Sequence, residues 1–217
     1  MEHKNSKFDV KIHDKAHFYA SKIKPLIEKA NIKRYYIAGG CFQKTVHDID
    51  LFPVNPNDFD GIIHDLKDYI VFSSVNAVTV KYNDLVIQFC RYYHNSLKEL
   101  VDSFDFAHCQ IGAKIDNKTQ VVEHYFSDAY LDWKLTDEDT YTGTQYPLSS
   151  LIRSYKYKET FLGKNYKKVA VKILIDIIKR GFLNYKDFKD QLDAIDLAYV
   201  EDNDELMELF NLLRKDS

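Results

Sequence analysis

The most informative part of the sequence is Ile37-Ala-Gly-Gly-Cys-Phe-Gln-Lys-Thr-Val-His-Asp-Ile-Asp-Leu-Phe52. It begins at the end of a short apolar run, contains two adjacent glycines and ends in a second apolar run. Side chains alternate along a strand, so Asp48 and Asp50 point to one face while Ile49 points to the other. Two carboxylates on one face of an apolar strand repel each other unless a cation lies between them. The pattern therefore predicts a strand that carries a metal-binding carboxylate pair.

The chemistry of this pair indicates a hard metal ion. Carboxylate oxygens favour Mg²⁺ or Mn²⁺, and such ions could activate an attacking hydroxyl and neutralise a leaving pyrophosphate. The two glycines, Gly39 and Gly40, add a second element. A Gly-Gly turn that enters a short helix lets backbone N–H groups approach a phosphate at the positive end of the helix dipole. The stretch thus predicts a triphosphate cradle beside a metal pair.

The flanking sequence predicts mixed α/β structure first and helices afterwards. Apolar spacing and turn residues predict helices at residues 10–30, 58–69 and 96–101, and strands at residues 34–38, 49–53, 71–80, 85–92, within 104–115 and at 119–122. From His124 onward the periodicity is mostly helical, with three or four helices in residues 147–217. We therefore expect an α+β fold in which a small mixed sheet is flanked by helices. Its catalytic head would cover residues 1–135, and an all-α C-terminal domain would cover residues 146–217.

Composition excludes several classes of protein. The chain has 217 residues, of which 45% are hydrophobic and 29% charged, which suits one domain or a compact head with a helical appendage. No apolar run approaches the roughly 18 residues that a membrane span needs, and the first ten residues hold no signal-peptide core. Three cysteines without metal-ligand spacing argue against a disulfide framework. We expect a cytoplasmic protein that does not enter a membrane.

Charge is distributed unevenly along the second half of the chain. Residues 151–180 contain nine Lys or Arg against two acids, and residues 181–217 contain four against ten. A basic segment beside an acidic one can indicate an anionic partner. The alternative is two solvated helical faces of opposite sign.

These features resemble the DNA polymerase β-like nucleotidyltransferase superfamily. The resemblance is closest to the head domain of CCA-adding enzymes and poly(A) polymerases and to related phage-encoded nucleotidyltransferases. It covers roughly residues 34–161, through the Gly-Gly and Asp-x-Asp stretch and three further segments: Leu85-Val-Ile-Gln-Phe-Cys-Arg91, Leu97 to Ala113 with Asp105 at the family's later aspartate, and Pro147 to Lys158, which resembles the start of the helical neck.

The resemblance implies an enzyme that moves a nucleoside monophosphate from NTP to an acceptor hydroxyl and releases pyrophosphate. Asp48, Asp50 and Asp105 would be its catalytic and metal-binding carboxylates, with Mg²⁺ or Mn²⁺ as cofactor. Gly39, Gly40 and Arg91 would bind the nucleotide. An RNA acceptor would lie along the basic segment from Arg153 to Arg180, where Tyr155 and Tyr157 could stack on bases.

The chain departs from the superfamily pattern at four places. Seven residues separate Gly40 from Asp48, fewer than usual, and Gln88 replaces a carboxylate often found before the arginine. Ser103 and Phe104 stand where two arginines precede the aspartate, and the base-selecting E-D-x-x-R triplet is absent at residues 145–149. We therefore do not expect a tRNA CCA-adding enzyme.

Several alternatives remain open at this point. The fold could be a catalytically silent nucleotide-binding or protein-interaction module, or the acidic segment from Glu201 to Ser217 could dock a basic partner. Asp105 could contact a ribose or cap a turn instead of binding metal. Arg91 could form a surface ion pair, and Cys41 could be a small buried thiol.

Overall fold

The computed structural model describes residues 2–43, 48–74, 76–116, 118, 120–181 and 185–195. The chain divides into two compact units. The first contains Met1–Phe104 and His108–Asp132, and the second contains Asp105–Ala107 and Trp133–Ser217. The predicted division at residues 135 and 146 stays a prediction.

The described residues of the first unit form a seven-stranded mixed sheet. Its order is β3-β4-β5-β2-β1-β6-β7. The β2–β5 pair is parallel, and the other neighbouring pairs among these strands are antiparallel. The strands are β1 (Arg34–Ala38), β2 (Ile49–Pro53), β3 (Ile70–Ser73), β4 (Ala77–Tyr82), β5 (Leu85–Cys90), β6 (Ile111–Asp116) and β7 (Val121–Phe126).

Helices flank this sheet and make up most of the second unit. The first unit contains α1 (Glu2–Lys29), α2 (Asp58–Asp65) and α3 (Leu97–Asp102), and α4 (Asp128–Thr136) spans the border between the units. The described residues of the second unit form α5 (Pro147–Tyr157), a π-helical turn (Lys158–Leu162), α6 (Tyr166–Arg180) and α7 (Tyr185–Asp193). The predicted α+β class with a helical C-terminal part is confirmed. No helix within the described ranges combines the length and the apolar character that crossing a membrane requires.

Local sequence explains how helix α1 ends and strand β1 begins. Helix α1 buries the residues that recur every three or four positions, namely Ile12, Ala16, Tyr19, Ala20, Ile23, Leu26 and Ile27. It ends at Lys29, where Asn31 takes a positive φ of 52° and its N–H bonds to the Glu28 carbonyl. Strand β1 then begins at Arg34, and its last four residues are almost fully buried.

Four predicted boundaries are wrong. The strand expected at residues 71–80 is a hairpin, because the Ser74 hydroxyl accepts the Ala77 N–H at 3.1 Å and turns the chain. Strand β7 runs on to Phe126, past the point where helical periodicity is expected to begin. Helix α1 starts at Glu2 instead of residue 10, and α2 ends at Asp65 before a 3₁₀ turn. The helices expected beyond residue 195 lie outside the described residues.

Candidate functional site

The turn after β1 depends on glycine at position 39. Its N–H donates to the Ile111 carbonyl at 2.9 Å, and its φ of 89° and ψ of −148° lie in a region that other residues rarely adopt. A Cβ atom at this position would lie 3.4 Å from Oδ2 of Asp50. Gly39 therefore provides both the turn and the close approach of the backbone to the Asp50 carboxylate.

The turn continues as a single 3₁₀ helix over Gly40–Phe42. A Cβ atom at Gly40 would meet no atom of the described residues within 4 Å, so space is open beside Gly40 in that part of the chain. The leading N–H groups of a helix have no acceptor within it. The start of the turn thus offers backbone donors beside an open volume, next to Asp50.

Asp48 and Asp50 approach this turn from β2. Asp50 is half-buried between the fully buried Ile49 and Leu51, as strand alternation predicts. Asp48 directly precedes the strand and is also half-buried. Burial raises the pKa of the Cys41 thiol well above its usual range, and the charges of Asp50 and Asp48 add to that rise. Both carboxylates therefore lie within electrostatic range of the same buried thiol in the glycine turn.

Two side chains of helix α1 hydrogen-bond to the glycine turn, a contact that the sequence analysis did not predict. The Tyr19 hydroxyl donates to the Cys41 carbonyl at 3.0 Å, and Lys15 Nζ donates to the Gln43 carbonyl. The amide of Gln43 in turn donates to the His108 carbonyl. Burial lowers the pKa of the half-buried Lys15. The available signal was the i, i+4 spacing of Lys15 and Tyr19 on one helix face.

Strand β5 contributes Gln88 beside the carboxylate pair. In the parallel β2–β5 ladder Asp50 is in register with Gln88, so both side chains point to the same face of the sheet. Thr79 of β4 is in register with Gln88 on the other side. The sheet therefore places a carboxamide, and no third carboxylate, at the position next to Asp50.

The donors at this site fit a magnesium ion that is bound together with a phosphate. Asp48 and Asp50 supply hard oxygen atoms. Within the described part of the chain, no group of three His, Cys, Asp or Glu side chains is placed to hold a metal. Mg²⁺ in proteins is commonly held by one or two carboxylates together with substrate phosphates, and not by a complete protein cage.

Asp105 lies in the second unit as the acceptor of a buried ion pair. It is 4% exposed, and Nη2 of Arg153 donates to its Oδ2 atom at 2.7 Å. The Ser150 hydroxyl donates to the same oxygen, and the Asp105 carbonyl accepts the Thr142 N–H at 2.9 Å. These partners explain how an acid is tolerated in an apolar run. A role for Asp105 as a metal ligand stays a prediction.

Arg91 packs against an aromatic ring. Its guanidinium carbon lies 4.6 Å from the centre of the Phe59 ring. The backbone N–H of Arg91 donates to the Asn76 carbonyl at 2.7 Å. Its Nε atom is buried and has no hydrogen-bond partner among the described residues. The predicted contact between Arg91 and a nucleotide stays a prediction.

The basic segment from Arg153 to Arg180 is only partly a free surface. Arg153 is committed to Asp105, and Lys164 lies 3.6 Å from Glu138. Tyr155 is 72% exposed, whereas the Tyr157 ring packs 5.3 Å from the Phe106 ring within the second unit. Of the two tyrosines that sequence reasoning offered for base stacking, the structure leaves Tyr155 exposed. Four lysines of α6 are also exposed: Lys167, Lys168, Lys172 and Lys179.

The described residues of the first unit form a mixed sheet that brings a Gly-Gly turn to a carboxylate pair, within a protein of the α+β class. The model of the Gabija anti-defense 2 family matches residues 10–132, more than half of the chain. The chain therefore belongs to the Gabija anti-defense 2 family. No curated protein sequence matches it.

The solved structures that match the chain include a tRNA-processing enzyme and a CCA-adding enzyme. A tRNA-processing enzyme with CTP is 16% identical over 88% of this chain and 56% of its own, with a TM-score of 0.46. The Bacillus stearothermophilus CCA-adding enzyme in complex with CTP is 12% identical over 80% of this chain and 48% of its own, with a TM-score of 0.49. The chain thus spans about half the length of these enzymes. Similarity at this level does not extend to activity or substrate.

Proposed function

We propose that the chain is a metal-dependent nucleotidyltransferase that moves a nucleoside monophosphate from NTP to an acceptor hydroxyl. The observation that carries this proposal is the Asp50 carboxylate, held 3.4 Å from the position of a Cβ atom at Gly39. A side chain at residue 39 would crowd the space between the backbone turn and the carboxylate. A phosphate bound by the turn would therefore lie within reach of a cation on Asp50.

Each residue of the site has a defined task in this reaction. Asp48 and Asp50 hold Mg²⁺ or Mn²⁺, which when bound neutralises charge on the triphosphate. Gly39, whose own N–H bonds to the Ile111 carbonyl, shapes the turn so that the backbone N–H of Gly40 orients the phosphates, and Arg91 is proposed as a further phosphate contact. The acceptor oxygen bonds to the α-phosphorus, the bond to the bridging oxygen breaks, and the hydroxyl proton passes to solvent as pyrophosphate leaves. Positioning and electrostatics supply the rate enhancement.

Two further features outside the glycine turn have proposed roles, namely Asp105 in the reaction and the basic segment in binding the acceptor. We propose Asp105 as a third carboxylate of the reaction, with the Arg153 ion pair fixing its rotamer. An RNA acceptor would be held by the exposed lysines of α6, with Tyr155 available for stacking. Cys41, Cys90 and Cys109 are buried thiols, and the described structure joins none of them in a disulfide, which suits a reducing cytoplasm.

The family name supports a biological role for this activity. Members are described as Gabija anti-defense 2 family proteins. We infer that the chain counteracts a Gabija defence system by transferring a nucleotide to one of its components or to an RNA on which it depends.

Gln88 favours a second candidate function. The position in register with Asp50 holds a carboxamide, so β5 adds no third carboxylate to the proposed metal ligands Asp48 and Asp50. A protein with this site could bind NTP and metal without turnover and act by sequestering the nucleotide. The two candidates make the same prediction for binding and opposite predictions for pyrophosphate.

A labelling experiment separates these functions. The protein is incubated with each of four α-³²P-labelled NTPs, Mg²⁺ or Mn²⁺, and either bulk RNA or purified Gabija components. Asp50→Asn serves as the control. Transfer of label with release of pyrophosphate in the wild type, and not in the variant, supports the enzyme. NTP binding without pyrophosphate under every condition supports the silent module, and no NTP binding contradicts both.

A further inference from the structure

Helix α6 carries apolar side chains on two opposite sides. On one side Val169 and Ile173 are buried in the cluster that contains Phe106 and Tyr141. On the other side a second set of apolar residues is exposed: Val171 (54%), Leu174 (44%), Ile175 (43%) and Ile178 (76%). Their i, i+3, i+4, i+7 spacing places them in one line along the helix, which we call the α6 stripe. Single exposed apolar residues are ordinary, but a continuous stripe marks a surface that binds something.

The charges on α6 identify the kind of partner. The helix contains Lys167, Lys168, Lys172, Lys179 and Arg180 against the single acid Asp176. Two α6 stripes brought face to face would set these cations against one another, which disfavours a second copy as the occupant. The chemistry that fits is an apolar stripe of the same length flanked by carboxylates.

The chain itself contains a segment of this description. Leu206, Leu209, Phe210 and Leu213 have the same 3, 1, 3 spacing as the α6 stripe. Five acids and no basic residue lie within residues 201–210: Glu201, Asp202, Asp204, Glu205 and Glu208. This segment lies beyond the described residues, so its placement is inferred from sequence and charge.

We propose that residues 204–213 dock on the α6 stripe, with their leucines and Phe210 against its apolar side chains and their acids beside its lysines. The chain is long enough for this contact. Ile195 packs with Leu192 against Leu148 and Ile152 of α5, and the eight residues that follow it can span about 26–29 Å when extended. A helix of the length of α6 measures about 22 Å. The proposal does not involve the carboxylate pair or the glycine turn, but it uses the α6 lysines proposed above as an RNA contact, so docked acids and RNA would compete for them.

Hydrogen exchange on the full-length chain tests the contact from both sides. Leu209→Ser with Leu213→Ser should speed exchange of the α6 amides by about tenfold or more, because docking protects them from local opening. Leu174→Ser with Ile178→Ser should likewise speed exchange in residues 204–213. Combining all four changes should add little to either pair, as expected for two halves of one contact. Matched controls are Leu135→Ser, which removes an equally exposed leucine of α4, and Asn211→Ser. Independent and additive effects, or no effect at all, would overturn the proposal.

Cross-linking of the wild type identifies the occupant without any substitution. An equal mixture of ¹⁵N-labelled and unlabelled chains is treated with a carbodiimide, which joins lysines to carboxylates in direct contact. The proposal predicts links between the lysines of α6 and Asp204, Glu205 or Glu208 within chains of one isotope. Links between isotopes would assign the surface to a second copy and contradict it. An absence of links at α6 would leave the stripe for another protein and would also contradict it.

Discussion

Asp50 of β2 stands in register with Gln88 of β5 across a parallel pair, on one face of the sheet. A carboxamide there accepts and donates hydrogen bonds but carries no charge. The position in register with Asp50 therefore adds no negative charge to that of the carboxylate pair, which limits how tightly the site can hold a cation before the triphosphate arrives.

Changing Gln88 to Glu should strengthen metal binding. Without divalent ions the third carboxylate should lower stability by about 1 kcal/mol through like-charge repulsion. With Mg²⁺ the variant should gain more in Tm than the wild type does, because the added ligand binds the ion only in the folded state. Thermal unfolding with and without Mg²⁺ measures both the loss of stability without the ion and the gain in Tm with it. Gln120→Glu, at an exposed position, is the matched control, and equal shifts with and without Mg²⁺ would speak against a metal beside Asp50.

Tyr19→Phe should loosen the glycine turn. The change removes the hydrogen bond to the buried Cys41 carbonyl, and leaving such an acceptor unpaired costs about 1–3 kcal/mol. NTP affinity should fall as well if the turn binds phosphate. Tyr93→Phe removes an exposed hydroxyl contact to the Pro56 carbonyl at 3.2 Å and should change little. Equal NTP affinity in the two variants would show that the glycine turn does not take part in nucleotide binding.

Asp105→Asn should destabilise the fold by about 1–3 kcal/mol, because it leaves the Arg153 guanidinium without its anionic partner. Asp190→Asn, in the exposed pair with Lys186, should have little effect on denaturant unfolding. Turnover per folded molecule then decides the role of Asp105. A loss of several orders of magnitude supports a metal ligand, and a changed preference between NTP and dNTP supports a ribose contact. Unchanged turnover limits Asp105 to the ion pair.

Replacing Lys164, Lys167 and Lys168 by Gln should weaken RNA binding with little regard to sequence. Each lysine that contacts a phosphate adds about 0.7–0.9 to the slope of log affinity against log salt. Filter binding of single-stranded RNA at two salt concentrations measures that slope. The same change at three exposed lysines of α1, namely Lys11, Lys22 and Lys24, is the control. A slope that falls equally in both variants, or wild-type RNA binding that is absent at low salt, would remove the basic segment as an acceptor site.

The central elements could be predicted because their signals are local. The alternation of Asp48, Ile49 and Asp50 predicts the strand and its faces, and Gly39-Gly40 predicts the turn. Contacts between distant parts of the chain left no such signal. The ion pair of Asp105 with Arg153 joins residues 48 positions apart. The hydrogen bond from the Tyr19 hydroxyl to the Cys41 carbonyl joins residues 22 positions apart. Pairing partners such as Gln88 follow from strand order, which periodicity does not contain.

The most direct test of the account is nucleotidyl transfer by the wild type and by Asp48→Asn and Asp50→Asn, measured as labelled product and pyrophosphate with Mg²⁺ present. Removing one carboxylate relieves repulsion in the metal-free protein while stripping a ligand from the ion. Both variants should lose transfer by orders of magnitude and keep a metal-free Tm equal to or above that of the wild type. Transfer at the wild-type rate in either variant would rule out Asp48 and Asp50 as the metal-binding pair.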